Sequence, residues 1–199
     1  MTQPSFSALR FFALFCLCMF VVHDASAQTV KPAQIMDDMI RALGGQTFLD
    51  VDDIHTTGRF FGFTRGELAT SDTFVDYIKF PDMERTELGS AKNKSIQINR
   101  GTEGWKVEGK KDPETQSVGE IEEFRKSFKT SFDYVLRFVA GEKQTTMQTL
   151  TAEMIDFKRA DVVELRDAAK NRIRFYIERN TRLPLKMQVR RTDESKLHE

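Results

Sequence analysis

Cysteine is nearly absent from this chain of 199 residues, and the two that occur, Cys16 and Cys18, fall inside one N-terminal apolar run. Whatever folds beyond that run has no disulfide to staple it and no thiolate to act as nucleophile or metal ligand. Histidine is almost as scarce, with only His23, His55 and His198. The sequence carries no H-E-x-x-H, no G-x-S-x-G and no phosphate-cradling glycine loop. Net charge is missing too, because 30 Lys and Arg balance 30 Asp and Glu. A nucleic-acid binder needs a basic surplus, so the neutral balance argues against nucleic acid as the main partner. The arginines near the C-terminus (Arg172, Arg174, Arg179, Arg182, Arg190, Arg191) read as the solvated face of two strands. No long-period repeat or low-complexity linker divides the chain, which fits one domain.

Long hydrophobic runs are lacking as well. The longest, Phe11–Val22, has twelve residues, too few to span a bilayer core of ~30 Å. Arg10 precedes it, His23–Asp24 follows, and Ala25–Ser26–Ala27 supplies a small-x-small cleavage pattern. Residues 1–27 therefore read as a signal peptide cut after Ala27, which makes the product periplasmic or secreted, with no transmembrane span. Phe15 and Leu17 precede the two cysteines where lipid modification would need small residues. The remainder, 28–199, is the length of one domain with a sizeable core.

What is present is sheet patterning around Thr73–Glu108. Phe80–Pro81–Asp82–Met83 and Arg100–Gly101–Thr102–Glu103–Gly104 are turn sequences. Between and after them, Ile96/Ile98 and Trp105/Val107 alternate with polar residues at a period of two. Trp105, the only tryptophan, is expected to be largely buried beside these three. Upstream, Ile54–Phe63 is a strand with Phe60, Phe61 and Phe63 on both faces, followed by one in which Phe74, Ile78 and Phe80 oppose Val75 and Tyr77. Aromatics on both faces imply that both are covered or that one lines an apolar cavity.

Two helical regions flank this meander. Over Pro32–Leu43, Ile35, Met36, Met39, Ile40 and Leu43 form one stripe, with Gly44–Gly45 as the stop. Over Ser117–Ala140, Ser117 and Glu120 make a capping-box pair ahead of Ile121, Phe124, Phe128, Phe132, Val135 and Val139. Ser131 is a second candidate cap, with a break near Lys129–Thr130. The C-terminal third returns to strands, read as Met154–Phe157, Asp161–Leu165, Ile173–Ile177 and Leu185–Val189.

Residues with the chemistry of an active site are few. Asp50, Asp52 and Asp53 lack the glycine and terminal glutamate of a calcium loop and read as a solvated loop. Glu84 and Glu87 are three apart, so on a strand they point to opposite faces and read as surface acids rather than an acid/base pair. No metal site and no cofactor is implied.

The order of turn motifs does resemble a known family. A leading helix is followed by Gly66–Glu67–Leu68, Lys79-x-Pro81–Asp82, Gly101-x-x-Gly104–Trp105, a helical lid, and Ile177–Glu178-x-x-Thr181-x-Leu183–Pro184. This arrangement is similar to the outer-membrane lipoprotein-sorting proteins of LolA/LolB type, over most of residues 28–199. The resemblance implies an α+β fold, an antiparallel β half-barrel whose concave apolar face is covered by helices and holds lipoprotein acyl chains. On that reading the candidate cavity lining is Ile96, Ile98, Trp105, Val107, Phe124, Phe128, Phe132, Phe175 and Met187. Phe124, Phe128 and Phe132 are then expected to meet Ile173, Phe175, Leu185 or Met187 across the interior. Known carriers have Lys-Arg-Pro at the strand turn, with that arginine latching the lid. Here Lys79–Phe80–Pro81 stands instead, so the expected lid is held by packing alone. Similar proteins usually add strands after the Leu-Pro hairpin, so a C-terminally shortened half-barrel is expected. The implied function is non-catalytic binding or carriage of lipid or lipoprotein acyl chains. The alternative is an envelope protein-interaction module on the same fold, and an enzyme ranks last.

Overall fold

The computed structural model describes residues 31–90 and 93–192. The expected leader lies outside the described residues. Among the described residues, no helix is long and apolar enough to cross a membrane.

The first helix, α1 (Pro32–Ala42), begins where its sequence says it should, with proline in the first turn. Its stripe buries Ile35, Met36 and Met39. Gly44 and Gly45 end it at positive φ, and one further turn, α2 (Gln46–Leu49), leads into the sheet. Six antiparallel strands follow as a meander: β1 (Asp53–Thr64), β2 (Glu67–Lys79), β3 (Met83–Leu88), β4 (Ser95–Arg100), β5 (Glu103–Glu108) and the short β6 (Glu114–Thr115).

The helical region splits at the expected place. Helix α3 (Val118–Lys129) carries the complete capping box. The Ser117 hydroxyl accepts from the Glu120 N–H at 3.3 Å, and the Ser117 N–H donates to the Glu120 carboxylate at 2.7 Å. Ser131 caps α4 (Phe132–Tyr134), which runs on as a wider π-helical turn over Val135–Val139. The second sheet is formed by β7 (Thr146–Ile155), β8 (Lys158–Arg166), β9 (Arg172–Glu178) and β10 (Pro184–Arg190), in the order β10-β9-β8-β7. The protein is thus α+β, with two antiparallel sheets that do not close and a few helices against them.

The tight core sits on one face of the second sheet. Val163, Leu165, Ile173, Phe175 and Ile177 meet Ile35, Met36 and Met39 of α1 and Val135, Leu136 and Val139 of the π-helical turn. The other face of this sheet buries Ala160, Val162 and Tyr176, with Leu185 packed beside them.

The first sheet is far more open. Pairing of β2 with β3 stops at Phe74–Leu88, so the outer half of the β1–β2 hairpin extends past its neighbour. Phe60, Phe61, Phe63 and Leu68 therefore stay about half exposed or more, at 49–67%. For Phe60, Phe61 and Phe63 the expectation of cover on both faces, or of a cavity on one, is corrected: among the described residues this segment is a two-stranded ribbon.

Candidate functional site

Strand register decides which side chains of the first sheet share a face. His55, Tyr77, Arg85, Ile98, Trp105 and Thr115 stand opposite one another in turn, so one row crosses all six strands. A neighbouring row on the same face runs through Asp53, Lys79, Met83, Arg100 and Glu103. Between the two rows lies an open groove of about 450 Å³. Ile54, Ile78, Glu84 and Asn99 occupy the intervening positions; their side chains point through to the other face, so their backbone is the floor.

The groove wall is apolar in the middle and charged at the rim. The His55 and Tyr77 rings stack at 4.6 Å and 4°. Ile98 lies directly across from Trp105. The Arg100 guanidinium sits 6.0 Å from the Trp105 ring, within cation–π range. Arg85 is tied to Glu87 at 2.6 Å, and Lys94 reaches the same carboxylate at 2.5 Å. These two cations hold Glu87 below the usual carboxylate range, Lys94 contributing most.

The opposite face of the sheet is the one that meets α3, and it is polar. The Asn99 side-chain amide donates to Gln116 Oε1 at 3.0 Å, and Gln116 Nε2 donates to the Trp105 carbonyl at 3.1 Å. Both amides are buried. Lys106 reaches Glu120 at 2.9 Å, and hydrogen bonds from Lys106 and Ser117 hold Glu120 down to about 2. Glu84 shares this inner face with Asp76 and is not the surface acid expected from sequence. Burial, then the Asp76 carboxylate, push it up to about 7.

The nine residues singled out from sequence fall in three places. Ile96, Ile98, Trp105 and Val107 do form one patch, Ile96 facing Val107 and Ile98 facing Trp105. That patch is on the face turned away from α3, and Trp105 in it is partly buried. Phe124 and Phe128 form a second cluster: their rings lie 5.3 Å apart, with Phe80 at 6.1 Å and Tyr134 at 5.7 Å from Phe128. Phe132, Phe175 and Met187 belong to the core of the second sheet, Phe132 meeting Phe175 edge-on at 5.9 Å. Of the expected contacts across the interior, the ring pair Phe132–Phe175 is present. Leu185 lies on the opposite face of its sheet, because a register shift between Pro184 and Lys186 moves it there.

Sequence reasoning also missed Arg137. Its side chain is 3% exposed, and its guanidinium lies 4.3 Å from the Phe48 ring and 4.8 Å from the Phe80 ring. The expectation that the helical segment is held by packing alone is thereby corrected: a cation on that segment grips the ring of Phe80. The signal was present as one charge inside the apolar run Val135–Val139.

No family model matches the sequence, and no curated protein matches it. Solved structures do resemble it. A LolA-superfamily protein from Nitrosomonas europaea is 12% identical over 84% of this chain and 74% of its own, with a TM-score of 0.47. A DUF1329 family protein from Desulfovibrio piger is 13% identical over 81% and 75%, at 0.46. An outer membrane lipoprotein-sorting protein domain from Vibrio parahaemolyticus is 12% identical over 80% and 72%, at 0.43.

Proposed function

We propose that this chain is an exported, non-catalytic binding protein that holds the acyl chain of a lipid or lipoprotein along the outer groove of its first sheet. One observation carries the reading: the groove of about 450 Å³ has Tyr77, Met83, Ile98 and Trp105 along its length. That volume falls in the range of roughly 300–1,000 Å³ typical of small-molecule sites. Burying an acyl chain there would be driven by about 25 cal/mol for each Å² of apolar surface taken from water. Arg100, Lys79 and Arg85 at the rim would meet an anionic head group. On this reading the mode of action is exchange rather than chemistry, driven by burial of the apolar chain.

The test is titration with a long-chain fatty acid, followed by the fluorescence of Trp105, with mass spectrometry of lipids extracted from the protein taken from a native envelope. A saturable spectral change that disappears in Ile98→Asp supports the reading. Lipid-free protein whose tryptophan does not respond would overturn it and leave the envelope interaction module as the better account.

A further inference from the structure

Arginines crowd the C-terminal third, and the structure sorts them. Arg179 and Arg182 both bind the Asp161 carboxylate, Arg182 at 2.9 Å. Arg174 binds Glu164 at 2.7 Å, and Arg191 binds Glu123 at 2.5 Å. Arg172 and Arg190 have no carboxylate within ion-pair distance among the described residues. These two stand directly opposite each other, and Arg172 also stands opposite Arg166 on the far side. One row across the second sheet therefore reads Thr146, Arg166, Arg172, Arg190, with no acid in it. The row faces away from the core, since Leu165, Ile173 and Val189 point the other way.

Like charges placed directly across strands destabilise a sheet. Only one carboxylate in the next row relieves this one, and it is already engaged. Burial is the largest influence on Glu164 and raises it, but hydrogen bonds from Arg174 and Gln148 and the charges of Arg174 and Arg172 together keep it below the usual carboxylate range. Arg166 approaches Glu164 only at 3.5 Å. Adjacent strands are about 4.8 Å apart, so three guanidinium-bearing side chains are presented over about 10 Å on a rigid sheet. Guanidinium forks at that spacing suit oxyanions that accept two hydrogen bonds at once, phosphate foremost.

We propose that the Arg166–Arg172–Arg190 row is a binding site for phosphate groups, separate from the groove of the first sheet. Two sources share this chemistry, a phospholipid head group and a soluble phosphate ester. The purified protein is tested with vesicles of phosphatidylglycerol and phosphatidylcholine, with phosphatidylcholine vesicles as the neutral control, and with inorganic pyrophosphate by calorimetry. Binding to the anionic vesicles, weakening as salt rises, assigns the lipid source. Pyrophosphate binding that competes with the vesicles assigns the soluble one. In either arm the double variant R172E/R190E should lose about tenfold or more in affinity. K110E/K111E changes two exposed lysines of the β5–β6 loop by the same charge and should stay within about twofold. R172Q keeps the proposal testable if the double variant unfolds. Relief of like-charge repulsion should leave its melting temperature equal or higher while its affinity falls. No binding in either arm, equal loss in K110E/K111E, or a clearly lower melting temperature for R172Q would each overturn the proposal.

Discussion

The guanidinium carbon of Arg137 lies 4.8 Å from the centroid of the Phe80 ring and 4.3 Å from that of Phe48. Its Nη1 donates to the Asp133 carboxylate at 2.6 Å and its Nη2 to the Phe48 carbonyl at 2.9 Å. One side chain thus joins α2, the end of β2 and the π-helical turn. Nε alone has no partner. A charge so far from water is held by its partners, so their loss should be felt strongly.

Arg137→Ala should therefore lower unfolding stability by about 3 kcal/mol in urea titration, from lost charged hydrogen bonds and ring contacts together. Arg137→Lys keeps the charge without the planar fork and should fall between. A change below about 1 kcal/mol in the alanine variant would show that the two rings pack equally well without the cation.

Glu84 sets a pH dependence whose sign follows from its environment. Burial and Asp76 raise it from 4.5 to about 7. Between those two values the folded protein binds a proton that the unfolded chain has lost, so the contribution of Glu84 to stability is greatest below pH 4.5 and is lost as pH rises through 7. The group is only partly buried, so the loss is on the order of 1–2 kcal/mol after allowance for solvent screening. Denaturation midpoints measured from pH 5 to 8 should fall for the wild type and fall less for Glu84→Gln. Parallel curves would mean that Glu84 titrates normally.

Gly104 is fixed by its neighbours rather than by its backbone. A Cβ there would lie 2.7 Å from Gln116 Oε1 and 3.1 Å from Asn99 Nδ2. Gly104→Ala should separate the buried amide pair and cost about 1–3 kcal/mol. Adding Gln116→Ala should recover part of that loss by opening space. An alanine variant as stable as the parent would show that the pair shifts freely.

Which parts of this were legible depended on how local the physics is. Ser117 and Glu120 are three apart, and their reciprocal hydrogen bonds follow from that spacing alone, so α3 was placed correctly at its start. The opposed faces of Glu84 and Glu87 followed from strand alternation. The Asn99–Gln116 pair, seventeen residues apart, depends on how α3 crosses the sheet, which no local pattern encodes. The same holds for Ile98 and Trp105. Their pairing could be read from two turns, but the face they share is decided by where α3 packs. Arg137 was hidden because an apolar stripe is read by its majority, and a lone cation within it looks like solvated periphery. Strands β2 and β7 run longer than the residues that announced them, since polar Thr, Ser and Gln extend a ladder without adding a hydrophobic signal.

Trp105 offers the most direct check on the groove. Its ring is partly buried on an open face, with Ile98 across from it and the Arg100 guanidinium near it, so part of it is accessible to solvent and quenchers. Acrylamide should quench its emission substantially in the free protein, and a bound acyl chain should reduce that quenching by covering the ring. Trp105→Ala should cost about 2–3 kcal/mol of stability, at or below the ~3–5 kcal/mol of a fully buried aromatic, because part of its apolar area remains in water. The same variant should lose fatty-acid binding while keeping the far-ultraviolet circular dichroism of the parent. Stability lost by more than about 3 kcal/mol, or emission shielded from acrylamide without ligand, would place the ring in a closed core. The groove described above would then not exist in solution.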